Sequence, residues 1–581
     1  MRKTRRNSAA GNWKKLFGVI ALCGVIVILA KNQARVKSVI KQQPTLYRIA
    51  QKGKGTVDGW LAHWHKKMRP ARKPLTSATI TVDASKTVER YEKFWGGIGS
   101  DYFYSGVALP QNQALFELIS KVNQTRQVFT YYRAHNMFSD RDAPNGDPSG
   151  GKVYREDEQG QAEYNWERVD EVFDTILRAN LKPIVEFGFM PEALTSNPRK
   201  QGDWHLANVA PPKDYRLWRN LVFETVKHLE ERYGAAEIQS WYFEVWNEPD
   251  LFEHFWVEDP RQPGRTYLSE YLKLYDHTVD GALAANDQIK IGGPAIAGWP
   301  YVLEGLISHS VSRQRSKPGR LDFISFHRYG DVDENIIEPS QHLLKKALAV
   351  DRKKVEQIPY LLTEFGPTTQ SHEQWKNSSY VAAWVCQTVD AFFELGYKKG
   401  HLFRPAAMVF WSSVGNNFRD GEGMIASIVG PNPQHIVKGP VFNAYDALSY
   451  LGPERISVTG TNYGDEVHGI ATKHGSESIE ILLYRINDYW NTRADSIPVR
   501  LDVVNLPFAD FFIQHFAIDE RHSNAFGAWK KMGSTAQLSA VQIAQLQQQD
   551  DLERVAPITQ HRTDSNRGFT KTFHMPGNSV T

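Results

Sequence analysis

The sequence predicts an α/β chain with an N-terminal signal-anchor segment, a (β/α)8 TIM barrel and a smaller C-terminal β-sandwich. Eight short apolar runs, each bounded by turn residues, recur between residues 94 and 413. Helical patterns with apolar residues three and four positions apart separate these runs. After about residue 455, short strand-like runs with turns between them replace the helical spacing.

The eight apolar runs are interpreted as parallel strands, because strands covered on both faces are continuously apolar. An open doubly wound sheet is the alternative, but it would need a glycine-rich phosphate loop. The stretch GGIG (96–99) is the one candidate for such a loop, and no Lys-Ser/Thr pair follows it. The predicted strands are FWGGIG (94–99), VFTYYRAH (128–135), PIVEFGF (183–189), WYFEVW (241–246), IKIGGPA (289–295), FISFHRY (323–329), YLLTEFG (360–366) and AMVFWSS (407–413).

The C-terminal runs EILLYRIN (480–487), IPVRLDVV (497–504) and FFIQHFAI (511–518) predict the sandwich. The early run ATITVDAS (78–85) could belong to the sandwich instead of the barrel. The expected domains are a signal anchor or signal peptide (1–31), a basic linker (32–75), the barrel (76–453), the sandwich (454–560) and a disordered polar tail (561–581).

The N-terminus has the pattern of a targeting segment. Six basic residues precede the apolar run LFGVIALCGVIVILA (16–30), which predicts a signal peptide or a signal anchor. This run is shorter than the roughly 20 residues of a full membrane span, so cleavage and secretion remain the alternative. We expect the chain to be membrane-anchored with its barrel on the periplasmic or extracellular side, or secreted if the signal is cleaved.

Charge and cysteine content exclude several classes. A net charge of +4 over 581 residues is too small for a nucleic-acid-binding protein. Two cysteines cannot build a disulfide framework or a cysteine metal site. No ligand cluster for a metal or a phosphate is evident, so no cofactor is expected. The sequence does not indicate the oligomeric state.

Two predicted barrel strands end in glutamates, where barrels carry their functional residues. The fourth strand ends in Asn247-Glu248-Pro249, and the seventh ends in Thr363-Glu364. Glycoside hydrolysis with retention needs an acid/base and a nucleophilic carboxylate about 5–5.5 Å apart. We predict Glu248 as acid/base, with its pKa raised by burial and by the neighbouring nucleophile, and Glu364 as nucleophile. Asn247 could hold the 2-hydroxyl group of the sugar.

The stretch FEVWNEPDL (243–251) resembles the acid/base signature of glycoside hydrolase family 39, which contains β-xylosidases and α-L-iduronidases. Similar segments run over about residues 80–560 and include YYRAHNMFSD (131–140) and FHRYG (326–330). By this resemblance His135 and His327 contact the sugar, and Tyr329 lies beside the nucleophile. The segment IDERHSNAFGAWKKMGS (518–534) is similar to part of that family's sandwich.

The eighth-strand region departs from the pattern of xylosidases of that family. Trp411 ends the strand and could be a platform on which a sugar stacks, and Arg419 follows in WSSVGNNFRDGEG (411–423). Because Arg is a natural partner for carboxylates, the alternative to a β-xylosidase-like enzyme is a hydrolase of uronic-acid-containing or exopolysaccharide glycans. A membrane-anchored carbohydrate-binding protein without activity is a third hypothesis, which the two intact glutamates disfavour. In each case the expected partner is an oligo- or polysaccharide.

Overall fold

The structure, a computed structural model, describes residues 75–142, 146, 148–202, 206–257, 263–312, 319–370, 374–411, 414–415, 426–428, 436–464, 466–487, 495–535 and 538–581. The predicted signal segment at 16–30 and almost all of the basic linker lie outside these residues. Within the described part of the chain, no helix is both long enough and apolar enough to cross a bilayer.

The strands are, in chain order, β1 (Ala78–Arg90), β2 (Gly97–Ser100), β3 (Tyr131–Ala134), β4 (Tyr154–Glu156), β5 (Ala162–Tyr164), β6 (Lys182–Phe187), β7 (Tyr242–Val245), β8 (Lys290–Ile296), β9 (Ile324–Tyr329), β10 (Tyr360–Gly366), β11 (Ala407–Phe410), β12 (Val414–Gly415), β13 (Ala426–Ile428), β14 (Ile436–Lys438), β15 (Glu454–Thr461), β16 (Val467–His474), β17 (Ser478–Arg485), β18 (Ile497–Val504), β19 (Asp510–Ile513), β20 (Phe516–Ala517), β21 (Glu553–Arg554), β22 (Thr559–Arg562), β23 (Phe569–Met575) and β24 (Ser579–Val580).

The α-helices are α1 (Pro110–Arg126), α2 (Glu167–Arg178), α3 (Tyr215–Tyr233), α4 (Ala235–Ile238), α5 (Pro263–Ala285), α6 (Pro300–Ser310), α7 (Glu338–Val350), α8 (Arg352–Val355), α9 (Ser379–Lys399), α10 (Pro440–Tyr450), α11 (Ala525–Lys531) and α12 (Ala540–Gln547). A π-helix spans Val332–Ile337, and 3₁₀-helices span Gln374–Asn377 and His401–Phe403.

Eight parallel strands close into a barrel in the order β2-β3-β6-β7-β8-β9-β10-β11. Each of the eight apolar runs overlaps one of these strands, so the predicted (β/α)8 barrel is confirmed. The run at 360–366 is buried along its whole length, as expected for a strand with barrel interior on one face and helices on the other. Helix α3 begins where the Asp214 side chain accepts the backbone N–H of Arg216 and ends at Gly234, which has a φ of 86°.

The C-terminal region contains a separate seven-stranded sheet in the order β23-β18-β1-β15-β16-β17-β24. The early strand β1 lies inside this sheet, antiparallel to β15 and parallel to β18. Two short ribbons, β19 with β22 and β20 with β21, accompany the sheet. Phe511 of the first ribbon packs on the apolar face that contains Val82 and Val503.

The prediction of a disordered tail over residues 561–581 was wrong. Strand β23 pairs with β18 along its full length, and Val580 of β24 is buried. The segment FTKTFHM (569–575) alternates between half-buried and exposed residues, which is the period of an edge strand with one covered face. The Thr, Lys and His residues make the segment polar on average, so its mean polarity does not reveal the alternation of a strand.

Helix α9 joins the barrel to the sheet, because it packs on strands β16, β17 and β24. Tyr484 in β17 donates a hydrogen bond of 2.9 Å to Asp390 in this helix. Arg455 of β15 forms an ion pair with Glu89 of β1, and Arg404 binds the same carboxylate at 2.7 Å. The carboxylates and arginines that meet here are almost fully buried. The barrel and the sheet are therefore held together by polar groups that solvent barely reaches.

Candidate active site

The barrel places Glu248 in the loop that follows β7 and Glu364 near the end of β10, so both lie at the carboxyl-terminal end of the barrel. A carboxylate oxygen of each glutamate and a ring nitrogen of His327 lie within 4.8 Å of one another. This upper limit on the distance between the two oxygens is compatible with the roughly 5–5.5 Å that retaining glycosidases use between their two carboxyl groups. The structure thus brings together the two glutamates that the sequence singled out.

Glu364 is buried and surrounded by donors. Arg133 Nη1 lies 2.9 Å from Oε1, His135 Nε2 lies 3.1 Å from the same oxygen, and the Tyr329 hydroxyl donates to Oε2 at 2.6 Å. Burial alone would raise the pKa of Glu364, but His327, His135 and Arg133 outweigh it and hold that pKa well below its ordinary value. Glu364 is therefore ionised, as a nucleophile must be.

Arg133 lies in the candidate site, and the sequence analysis missed it. Its guanidinium, with no exposed surface, bonds Glu244 at 2.7 Å, Glu186 at 2.9 Å and Asn247 Oδ1 at 3.0 Å, in addition to Glu364. With Oδ1 engaged, Asn247 can offer its NH₂ group to a sugar hydroxyl. An arginine inside an apolar strand such as YYRA (131–134) was the available signal, because a buried guanidinium requires partners.

His135 lies beside the nucleophile, and both of its ring nitrogens face carboxylates. Nδ1 is 2.6 Å from Glu186, and Nε2 is 3.1 Å from Glu364. Burial would lower the pKa of His135, but Glu186 and Glu364 raise it to about 10, so the imidazole is positively charged at neutral pH. As placed, His135 orients and stabilises Glu364; the sugar contact stays a prediction.

Trp411 forms the wall of the site next to His135, with ring centroids 4.5 Å apart. Its indole N–H donates to Asp101 at 2.7 Å, which fixes the ring, and the ring is 6% exposed. The face of the ring also lies 5.4 Å from the guanidinium of Arg133. Stacking of a sugar on Trp411 stays a prediction, and Arg419 lies outside the described residues.

Glu248 has surroundings unlike those of Glu364. His327 Nδ1 lies 2.8 Å from Oε1, and His254 Nδ1 lies 2.9 Å from Oε2. Burial raises the pKa of Glu248, but the two histidines outweigh it and hold that pKa below its ordinary value. The expected raised pKa is therefore wrong for the protein without substrate, because the imidazoles that contact both oxygens were not foreseen.

Asp250 fixes the loop that carries Glu248. Its carboxylate accepts the backbone N–H groups of Ala297, Gly298 and Trp299 at 2.8–2.9 Å. Glu248 itself has a φ of 45°, which a non-glycine residue holds only under support from its surroundings. Asp250 thereby clamps the loop after β7 to the loop after β8.

Among the described residues, the group of carboxylates and histidines best suited to a metal ion is again Glu248, His327 and Glu364. His327 Nδ1 already bonds Glu248, and Arg133 and Tyr329 occupy the oxygens of Glu364. The arrangement instead suits proton transfer and nucleophilic attack by carboxylates.

The family model for glycosyl hydrolases family 39 matches residues 78–567, which is most of the chain. This chain belongs to family 39. The predicted family resemblance is therefore confirmed.

Among its relatives, this family 39 chain is 28% identical to a β-xylosidase of Geobacillus stearothermophilus, over 77% of this chain and 84% of that protein. It is 23% identical to the α-L-iduronidase of Mus musculus, over 68% and 64% of the two chains. The crystal structure of a monomeric β-xylosidase from Caulobacter crescentus superimposes with a TM-score of 0.69 and 21% identity, over 86% of this chain and 98% of the other. This last likeness concerns the fold.

Proposed function

We propose that the chain is a retaining, β-xylosidase-like glycoside hydrolase that removes terminal xylosyl residues from an oligo- or polysaccharide. The observation that carries this proposal is the pair Glu248 and Glu364, with oxygens within 4.8 Å of one another and with different sets of neighbours. The β-xylosidase of Geobacillus stearothermophilus, 28% identical, supports xylose as the sugar.

In the first step Glu364 attacks the anomeric carbon, and Glu248 gives a proton to the leaving oxygen as the glycosidic bond breaks. Arg133, His135 and Tyr329 keep the attacking carboxylate ionised and oriented. In the second step Glu248 takes a proton from water, and the water oxygen displaces Glu364 with net retention. Asn247, held by Arg133, is placed to bond the 2-hydroxyl as positive charge develops on the ring.

A panel of aryl glycosides with product NMR tests the proposal. We expect turnover of aryl β-xyloside, with β-xylose as the first-formed product. Formation of α-xylose first would contradict retention, and absence of activity on every β-glycoside and α-L-iduronide in the panel would contradict the enzymatic assignment.

The second candidate is a hydrolase of uronic-acid-containing or exopolysaccharide glycans. Arg419 in the eighth-strand segment and the similarity to the mouse α-L-iduronidase favour it. Aryl α-L-iduronide in the same panel separates the two candidates. A site built to bind a carboxylate is left with an unpaired charge when a neutral sugar occupies it, so it disfavours that sugar. Preference for the iduronide would establish this candidate over the xylosidase.

We propose that residues 16–30 hold the chain in a membrane, or direct its secretion, with the barrel on the outer side where polysaccharides occur.

A further inference from the structure

His254 lies in the turn that follows the acid/base glutamate, and its imidazole touches that glutamate. Its Nδ1 is 2.9 Å from Oε2 of Glu248, while His327 Nδ1 is 2.8 Å from Oε1. Each oxygen of the acid/base therefore has an imidazole nitrogen within hydrogen-bonding distance.

The position of His254 is fixed by its own surroundings. Its backbone carbonyl accepts the indole N–H of Trp246 at 2.8 Å, and its backbone N–H bonds the carbonyl of Leu251 at 3.1 Å. The residue is 7% exposed, and its ring meets that of Phe189 edge to face at 6.4 Å. A histidine that only filled space would not need a nitrogen against a buried carboxylate.

The two catalytic carboxylates differ in the kind of cation beside them. Glu364 has Arg133 beside it, which remains charged at any working pH, in addition to the imidazole of His135. The groups within 2.9 Å of the Glu248 oxygens are two imidazoles, those of His254 and His327. The other titratable groups that influence Glu248 or His254 are Glu364, Asp250, Tyr329 and His135. A permanent cation suits a nucleophile, and an exchangeable proton suits an acid/base.

We propose that His254 is a positioning residue that holds Glu248 through its second oxygen and shares a proton with it. The acid/base of this site is then the pair of Glu248 and His254, with His327 on the other oxygen. When the proton is on Oε2 of Glu248, Nδ1 of His254 accepts; when it is on Nδ1, the carboxylate accepts. This inference rests on the proposed role of Glu248.

Sharing changes the pH range of the enzyme. The pair loses its last proton at a higher pH than Glu248 alone would, because that proton can rest on either member. When the pair holds one proton, a fraction of the molecules carries it on the imidazole of His254. In those molecules Glu248 is ionised and cannot act as the acid. Sharing therefore extends activity to higher pH and limits it at lower pH.

The variants His254→Asn and His254→Gln test this inference, since each keeps an amide N–H near the carboxylate but cannot be protonated. We would measure kcat/KM from about pH 4 to about pH 9, the range in which carboxyl and imidazole groups titrate. The substrates are a phenyl glycoside, which needs the acid, and a dinitrophenyl glycoside of the same sugar, which does not. His309→Asn is the matched control. His309 also pairs with a carboxylate, that of Asp276 at a distance of 2.9 Å, but this pair does not contact the two glutamates.

With the phenyl glycoside, we expect the alkaline limb of the His254 variants to move to lower pH by about one unit or more. Their activity at the acid end should equal or exceed that of the wild type, and the first step with the dinitrophenyl glycoside should be unaffected. An unchanged alkaline limb, or an equal loss at every pH on both substrates, would overturn the inference. A wild-type protein inactive on the whole panel would instead overturn the proposed function.

Discussion

At the residue scale, the chemistry depends on how two identical carboxylates are made different. Glu364 and Glu248 are both withdrawn from solvent, yet Arg133 and Tyr329 bond the former, while His327 bonds the latter and His254 Nδ1 lies 2.9 Å from it. In both cases the neighbours outweigh burial and keep the pKa low in the free protein. Glu248 must therefore take up a proton before it can act as an acid on the leaving group.

Substitution of the two glutamates should separate their roles. Glu364→Ala should abolish turnover of every substrate, and added azide should restore activity with a product of inverted configuration. Glu248→Ala should lower kcat by roughly 10²–10⁴-fold on substrates with poor leaving groups and spare the first step on activated ones. Azide should then give a product of retained configuration, which product NMR can determine.

Glu253→Ala is the matched control for this pair, because Glu253 is an exposed glutamate in the same loop as Glu248. It should retain wild-type kinetics. An inverted azide product from Glu248→Ala would mean that the two roles are exchanged. Full activity in both glutamate variants would show that these two residues do not catalyse the reaction.

Two residues of the candidate site could be located from the sequence because their position along the chain reveals where they lie. Glu248 and Glu364 each end an apolar run, so a barrel necessarily brings them to the same face. Arg133, His254 and Asp250 could not be found in this way. Each acts through partners on other strands or loops, and a single charged residue in a strand or turn does not reveal which groups it meets.

At the element scale, helix α9 is the structural link between the barrel and the seven-stranded sheet. Burial raises the pKa of Asp390 in this helix to about 7, although Arg455 lies 3.7 Å away and Tyr484 donates to its other oxygen. The carboxyl group thus binds its proton more tightly in the folded chain than in the unfolded chain. The contribution of Asp390 to folding stability therefore falls as the pH rises from about 4 to about 7.

Asp390→Asn should weaken this pH dependence, because the amide keeps an acceptor for Tyr484 but cannot ionise. We expect the variant to be more stable than the wild type above pH 7 by on the order of 2 kcal/mol and nearly equal to it at pH 5. Urea unfolding at several pH values measures this.

Asp174→Asn is the control for this measurement. Asp174 is paired with Arg232 at the surface, and its pKa is lowered by its partners despite slight burial, so it titrates below this pH window. The control should keep the wild-type slope between pH 5 and 8. The same slope in Asp390→Asn as in the wild type would show that Asp390 is ionised throughout.

Elements buried on both faces were predictable, whereas those at an edge were not. The barrel strands are continuous apolar runs, and each was located to within a few residues. Strand β23 was missed because an edge strand buries one face only, and on that face it carries Lys571 between Phe569 and Phe573. The place of β1 in the C-terminal sheet could be suspected from its length and alternation but not established, because pairing partners are not encoded locally.

At the scale of the whole molecule, the apolar run at 16–30 leads to a prediction of topology. Protease added to intact cells, after any outer layer is opened, should remove the barrel and spare a tag on the N-terminus, since the basic residues favour a cytoplasmic N-terminus. Val25→Arg, in the middle of the run, should abolish membrane retention, because an arginine there costs about 2.5–3.5 kcal/mol of insertion. Full protection of the barrel from protease would contradict this topology.

The pairing of β1 with β15 also has a consequence for synthesis. Thr87 and Glu454, which touch across this pair, are 367 residues apart in the chain. Strand β1 leaves the ribosome early but must wait, with an unpaired edge, until the whole barrel and then β15 to β18 have emerged. The sheet should therefore be the last part of the molecule to assemble, and a fragment starting at residue 454 should fail to fold without an added strand.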